Sequence, residues 1–240
     1  MNCKHKKLFL SNYDSFEFLF KKLVNVNSNY PFIALTGGST IKSFYNWIAE
    51  NKSINKLKHY TWTVGDERSV PLDNINSNLG QAIKYFLSSI KPNHANLFPI
   101  YDEYLSEKSN LDRINKYFDD CYNEKKYLFD LCILSLSSQD SHIASIFPNS
   151  SIINSSDLFE TILDKNYGKR ITITPKGLSA CKEIIVLAMG KDKKQALLNS
   201  FKKKITVKDI PSQLINSLNS KVTWLIEEEF KNTEGIGVYD

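Results

Sequence analysis

The 240-residue chain has only four cysteines, with no CxxC pair and no histidine at zinc-ligand spacing, which excludes a zinc ribbon and a thioredoxin-type redox motif. Cys132 and Cys181 sit in or beside apolar runs and read as buried small hydrophobes; with Cys3 and Cys121 they imply free thiols and a reducing compartment. No apolar stretch approaches the length needed to span a bilayer. The start "MNCKHKKLFL" offers three consecutive apolar residues, too few for the core of a secretion signal, so the cytosol is the expected location. A block of like charge is also missing. The net charge of +5 comes from 31 basic and 26 acidic residues that are interspersed, whereas a nucleic-acid binder gathers its basic residues into a stripe. A small anionic ligand fits this balance better than nucleic acid or a membrane. The lysine runs 21–22, 193–194 and 202–204 read as solvated helix faces. Neither a HExxH helix, a GxxxxGK[ST] loop nor a GxSxG elbow occurs, so zinc hydrolysis, a Walker phosphate loop and a serine nucleophile have no support.

What is present is an alternation of short apolar runs with helical patterns, the signature of an α/β domain. A 42% hydrophobic and 12% aromatic content is ample for one core, and without internal repeats or a long linker a single domain over 1–240 is expected. Strands are predicted at 32–36, 60–64, 129–136, 169–174, 183–190 and 222–226. Helices are predicted at 15–24 with Asp14 as cap, 41–50, 77–90, around 109–127, and 191–201. The expected architecture is a three-layer, mostly parallel Rossmann-like sheet flanked by helices. His5 reads as part of a tail, and His59 and His94 as surface residues in hydrophilic connections. Trp62 reads as core.

Three polar clusters each follow a predicted strand: "TGGST" (36–40), "GDER" (65–68) and "SSQDSH" (137–142). Loops at the C-terminal ends of strands line the ligand crevice of an open α/β sheet, so the three are expected to meet. Gly37, Gly38, Ser39 and Thr40 before a helix would set backbone N–H groups and hydroxyls at the positive end of its dipole, a seat for phosphate; a plain turn with an N-cap explains them equally well. Arg68 is placed to clamp a phosphate or carboxylate while a neighbouring acid holds it; the alternative is a solvated charged turn. His142, flanked by Asp140 and small residues after the most apolar strand, suits a general base at neutral pH, and equally a local hydrogen bond near a helix start.

Taken together and in order, these blocks resemble the 6-phosphogluconolactonase family, in the superfamily that also holds glucosamine-6-phosphate deaminase and ribose-5-phosphate isomerase. The resemblance runs from Leu35 to about Trp224. "LTGGST" is similar to the family's Ser-Gly-Gly-Ser-Thr loop, and "WTVGDERSVPLDNINSN" to its Trp-x-x-x-x-Asp-Glu-Arg-x-Val-Pro segment with the following Ser-Asn. "DSHIASIFP" is similar to Asp-Gly-His-Thr-Ala-Ser-Leu-Phe-Pro, "KRITIT" to Arg-Ile-Thr-Leu-Thr, and "MGKDKKQAL" to the Gly-x-x-Lys helix start. "IPSQLI" and "VTWLIEEE" match the family's ending. The Asp-Glu-Arg favours the lactonase over the deaminase, whose segment reads Asp-Glu-Tyr. The resemblance implies hydrolysis of 6-phosphoglucono-δ-lactone in the pentose phosphate pathway. His142 would activate water, Arg68 and Arg170 would hold phosphate and substrate oxygens, and Asp66 would help orient the site. Gly37–Thr40 and Lys193 would complete the phosphate seat. It implies no metal or organic cofactor, and a monomer acting on a small-molecule lactone is expected.

One block departs from the family. Its Gly-x-Gly-x-Asp-Gly-His approach reads Leu136, Ser137, Ser138, Gln139, Asp140, Ser141, His142 here, with every glycine replaced, and "LDKNYGKR" stands where the family has a proline-rich segment. Wherever the loop needs positive φ, a non-glycine residue costs on the order of 1–3 kcal/mol. Two further readings therefore stay open: a sugar-phosphate binding protein without turnover, and a lactonase of altered specificity.

Overall fold

The order of apolar runs along the chain becomes a six-stranded sheet in which every pairing is parallel. The computed structural model describes residues 5–50, 52–93, 96–204 and 206–237. Cys3 and His94 lie outside the described residues. The strands β1 (His5–Leu10), β2 (Phe32–Leu35), β3 (Thr61–Val64), β5 (Leu131–Ser135), β8 (Glu183–Ala188) and β9 (Lys221–Glu227) are arranged in the order β1-β9-β8-β5-β2-β3. The interior strands are buried along nearly their whole length, as parallel strands covered on both faces must be. Short β4 (Asp66–Arg68) leaves the end of β3 and joins β7 (Gly168–Ile173) and β6 (Phe159–Asp164) in a small antiparallel sheet.

Helices α1 (Asn12–Val24), α2 (Ser39–Ala49), α3 (Asn78–Ala82), α4 (Ser88–Ile90), α5 (Glu107–Lys125), α6 (Pro175–Ser179) and α7 (Lys194–Ser200) flank the sheet. Aromatic rings do much of the packing. Phe16 of α1 lies 5.8 Å from Phe44 and 5.9 Å from Trp47 of α2. Phe118 of α5 stacks on Phe159 at 4.7 Å and meets Phe129 edge-on at 5.2 Å. Phe118 is fully buried, so its truncation to alanine removes about 3–5 kcal/mol. Cys132, Cys181 and Trp62 are buried, as expected of core residues.

Several elements differ from the sequence expectation for local reasons. Asp14 is not the cap of α1. Ser11 is, its Oγ accepting from the Asp14 N–H and donating to the Asp14 carboxylate, which places the acid inside the first turn. His5 opens β1 rather than lying in a tail, and its ring nitrogen bonds the Leu218 carbonyl. An edge strand with one neighbour needs few apolar residues, which hid it. The single helix expected over 77–90 is α3, a π turn Ile83–Leu87, and α4, with Ser77 as the N-cap. Lys22 is not a purely solvated lysine either, since it pairs with Glu183 at 2.6 Å.

The strand order places the ligand crevice. From β2 the chain steps outward to β3, then crosses back to β5 on the other side of β2 and continues through β8 to β9. The connections leaving β2 and β5 therefore diverge, and the gap between their C-terminal ends is where such sheets take ligands.

Candidate active site

The three polar clusters do converge there. A cleft of about 230 Å³ is lined by Gly37, Gly38, Ser39, Thr40, Asp66, Arg68, His142, Arg170 and Lys193, which are all the site residues expected from the sequence. Asn78, Gln139 and Tyr167 also line it; Asn78 belongs to the Ser-Asn pair of the family resemblance, but none of the three was expected as a site residue.

The seat after β2 is built by two glycines with different duties. Gly37 lies against Asn78, where a Cβ would come within 1.9 Å of the Asn78 Oδ1. Gly38 has φ of +103° and occupies the cap position of α2 with open space around it and no capping side chain. The first-turn N–H groups of α2 therefore stay available at the positive end of the helix. Lys193 ends the turn Lys191–Lys193 after β8, and its side chain is only 12% exposed, which removes it from the solvated lysines.

Strand alternation sorts "DER". Asp66 and Arg68 project from one face of β4 and Glu67 from the other. Glu67 consequently does not hold the Arg68 guanidinium, contrary to the expectation of a neighbouring acid as clamp. Its carboxylate accepts from the backbone N–H of Arg68 (2.8 Å), Asn78 (2.6 Å) and Leu79 (2.9 Å) and from the Ser77 hydroxyl (3.0 Å), and so caps α3 and fixes Asn78. Burial pushes the Glu67 carboxyl pKa up, while these four donors pull it back. Arg68 is anchored by its Nη1 donating to the Asn76 carbonyl at 2.6 Å, and its buried Nε has no hydrogen-bond partner among the described residues. Arg170 is Arg68's direct partner across the β4/β7 ladder. Its hold on its proton is weakened first by burial and then by the charge of Arg68. Two guanidiniums facing one cleft favour an anion between or beside them.

The glycine-free loop after β5 closes tightly. The Ser137 N–H donates to the His142 carbonyl at 3.1 Å, and Ser137 Oγ donates to Asp140 Oδ1 at 2.9 Å. Of the three positions where the family has glycine, only Ser141 takes positive φ, at 60°. The backbone cost thus falls at one position rather than three; Ala144, at φ 51°, adds a second left-handed residue just beyond. His142 Nδ1 lies 2.7 Å from Asp140 Oδ1. Burial alone would raise the Asp140 pKa, but the bond to His142, its charge, and the Ser137 hydroxyl hold it at about 2. With Asp140 as a carboxylate acceptor, the neutral tautomer of His142 carries its hydrogen on Nδ1 and keeps the lone pair on Nε2. The acid in contact with the His142 ring is thus Asp140, and Asp66, expected to help orient the site, makes no hydrogen bond to that ring among the described residues. Spacing alone did not reveal this, although an aspartate two residues before a histidine was the available signal. Asp66 acts one step away, its Oδ2 accepting from Ser145 Oγ at 2.6 Å while the Ser145 N–H donates to Thr172 Oγ1 at 3.0 Å. No serine hydroxyl bonds the His142 ring among the described residues, which leaves no nucleophilic triad.

An open parallel α/β sheet with a helix N-terminus, paired arginines and a carboxylate-bonded histidine at its topological switch point defines a class: α/β proteins whose cleft suits a small anion beside an imidazole. Residues 17–224 match the family model described as glucosamine-6-phosphate isomerases/6-phosphogluconolactonase, and the chain belongs to this family. It is 31% identical over 198 residues to the 6-phosphogluconolactonase of Borreliella burgdorferi, covering 80% of this chain and 82% of that one. It is 27% identical over 172 residues to the 6-phosphogluconolactonase of Homo sapiens, covering 70% and 66%. Among solved structures, the 6-phosphogluconolactonase from Trypanosoma cruzi superposes with a TM-score of 0.80 at 23% identity, over 98% of both chains. A monomeric glucosamine-6-phosphate deaminase superposes with a TM-score of 0.77 at 17% identity, over 95% of this chain and 98% of that one. At these identities the superpositions establish the fold alone.

Proposed function

We propose that this protein hydrolyses 6-phosphoglucono-δ-lactone to 6-phosphogluconate, a step of the pentose phosphate pathway. The observation that carries the reading is the His142–Asp140 pair at 2.7 Å in the same cleft as Arg68, Arg170 and the uncapped start of α2. The curated 6-phosphogluconolactonases among its relatives support the choice of substrate.

The phosphate is held by the two arginines together with the Gly37–Thr40 turn and Lys193, and the arginines also reach the remaining substrate oxygens. His142 Nε2 takes a proton from water as the water oxygen bonds to the lactone carbonyl carbon, and Asp140 balances the imidazolium that forms. Positive charge from Arg68 and Arg170 stabilises the carbonyl oxygen as it becomes an oxyanion. Collapse of the tetrahedral intermediate breaks the bond from that carbon to the ring oxygen, and the imidazolium returns its proton to the departing oxygen. The products are a free hydroxyl and a carboxylic acid, which ionises. A lactone is already an activated ester, so a base contributing about 10²- to 10⁴-fold suffices without a covalent intermediate, metal or cofactor. We place the activity in the cytosol, in a monomeric single domain; the free thiols Cys121, Cys132 and Cys181 support a reducing compartment.

The test is hydrolysis of freshly generated lactone, corrected for spontaneous opening, by wild type and His142→Ala. Turnover that falls about 10²- to 10⁴-fold in the variant is expected. Background rates in both, with 6-phosphogluconate still bound, would overturn the reading and leave a sugar-phosphate binding protein.

A further inference from the structure

We propose that Tyr167 is a positioning residue for the His142–Asp140 pair, an inference that rests on the lactonase reading and deepens it. Tyr167 sits in the β6–β7 turn, which Asp164 Oδ1 pins by accepting from the Asn166 and Tyr167 N–H groups at 2.8 and 3.1 Å. From there it reaches across to the loop after β5. Its ring stacks on Phe147 at 4.7 Å with an interplanar angle of 2°, and meets the His142 ring edge-on at 5.3 Å. Phe147 meets His142 at 4.8 Å, so the imidazole rests against two rings. The Tyr167 hydroxyl donates to Gln139 Oε1 at 2.7 Å and lies 3.4 Å from Asp140 Oδ2. Its carbonyl accepts from Arg170 Nε at 3.1 Å, and the Arg170 guanidinium lies 5.8 Å from its ring. One residue therefore touches the proton acceptor, the segment that carries its acid, and one of the two arginines.

The loop has a reason to need this. It contains no glycine between Leu136 and His142 yet holds Ser141 in the left-handed region, a strained arrangement that persists only where surrounding contacts hold it. A displacement of the base by about an ångström costs roughly a hundredfold in rate. Side-chain ties from a second element restrict the loop, and Tyr167 provides both a flat packing surface and a hydroxyl tie. The phenol hydroxyl is engaged with Gln139 Oε1 and Asp140 Oδ2, so Tyr167 acts through His142 and Asp140 and is not itself a catalytic residue.

The experiment compares wild type, His142→Ala, Tyr167→Phe and Tyr167→Ala as full chains, measuring kcat and KM on freshly generated lactone, the affinity for 6-phosphogluconate, and the thermal midpoint. The wild type and His142→Ala decide the lactonase reading without reference to Tyr167. If the wild type turns over, Tyr167→Phe is expected to keep the stack and lose about five- to tenfold in kcat, with KM and product affinity within about twofold. Tyr167→Ala is expected to lose about a hundredfold in kcat. Wild-type kcat in Tyr167→Phe and Tyr167→Ala overturns the proposal while leaving the lactonase intact. So does a loss in which kcat and product affinity fall together with the thermal midpoint, which marks a purely structural residue. Should Tyr167→Ala fail to fold, the Tyr167→Phe split decides.

Discussion

Arg68 and Arg170 are direct partners in the antiparallel register of β4 and β7, so two guanidinium-bearing side chains leave the small sheet on the same face and line the same cleft. Like charges directly opposite each other on a sheet destabilise it. An anion in the cleft relieves this, so inorganic phosphate is expected to raise the thermal midpoint of the wild type. At a free concentration one hundred times its Kd the gain is about 2.7 kcal/mol. Arg170→Met is expected to lose most of that gain, together with affinity for 6-phosphogluconate. Calorimetry across a phosphate series checks it, and a wild-type midpoint indifferent to phosphate would speak against the anion seat.

Asp140 predicts an acid limb in stability. Its carboxyl pKa is depressed to about 2 in the folded protein, below the ordinary value of about 3.9 for the unfolded chain. A depressed carboxyl stabilises the fold at pH values above the unfolded pKa, and this contribution disappears as pH falls through about 2. Asp140→Asn is therefore expected to be less stable than wild type by about 1–2 kcal/mol near pH 5, with the gap closing between about pH 4 and pH 2. Denaturant titrations of both proteins at several pH values measure the gap. In the same variant, turnover is expected to drop by roughly a hundredfold, because the imidazole loses the acceptor that holds its tautomer.

Gly37 and Gly38 should separate stability from binding. In Gly37→Ala the new methyl meets the buried Asn78 amide, which is tied to the Asp66 carbonyl at 2.8 Å, so a loss of about 1–3 kcal/mol is expected from overpacking. In Gly38→Ala the methyl meets nothing but stands where an anion would rest, with backbone strain of about 1–3 kcal/mol at φ +103°. Its larger effect is expected in KM and phosphate affinity. Equal effects of the two variants on affinity per unit of lost stability would contradict the division.

Ser141→Gly restores glycine at the one replaced position that has a left-handed backbone. A gain of up to about 1 kcal/mol is expected, since relief of strain outweighs the greater freedom of glycine in the unfolded chain. Turnover is expected to stay within about twofold of wild type, because the Asp140–His142 bond does not involve this side chain. Urea unfolding is the measurement; a loss larger than about 1 kcal/mol would mean that the serine side chain, rather than its backbone, is what the loop requires.

Much of this molecule was legible before its structure. The apolar runs at 32–35, 61–64, 131–135 and 183–188 mark the buried strands because a parallel strand covered on both faces needs continuous hydrophobicity. The polar clusters at their ends mark the crevice for the same topological reason. What escaped reading were elements whose signal is weak by nature: the edge strand β1, β6 in the small antiparallel sheet, and the three-residue β4.

By itself the sequence determined the sheet's interior strands and the polar clusters at their ends, with the single histidine among them, because hydrophobic period and residue type are local properties; Arg170 and Lys193 came from the family resemblance. Tertiary structure alone decided their partners. Which acid serves His142, which face of β4 turns Glu67 away from Arg68, and how Arg170 comes to oppose Arg68 all depend on contacts between segments up to about a hundred residues apart, for example Arg68 with Arg170. Whether the glycine losses mattered was likewise a question of φ at three positions. Only the folded loop shows that one of them, Ser141, bears the cost.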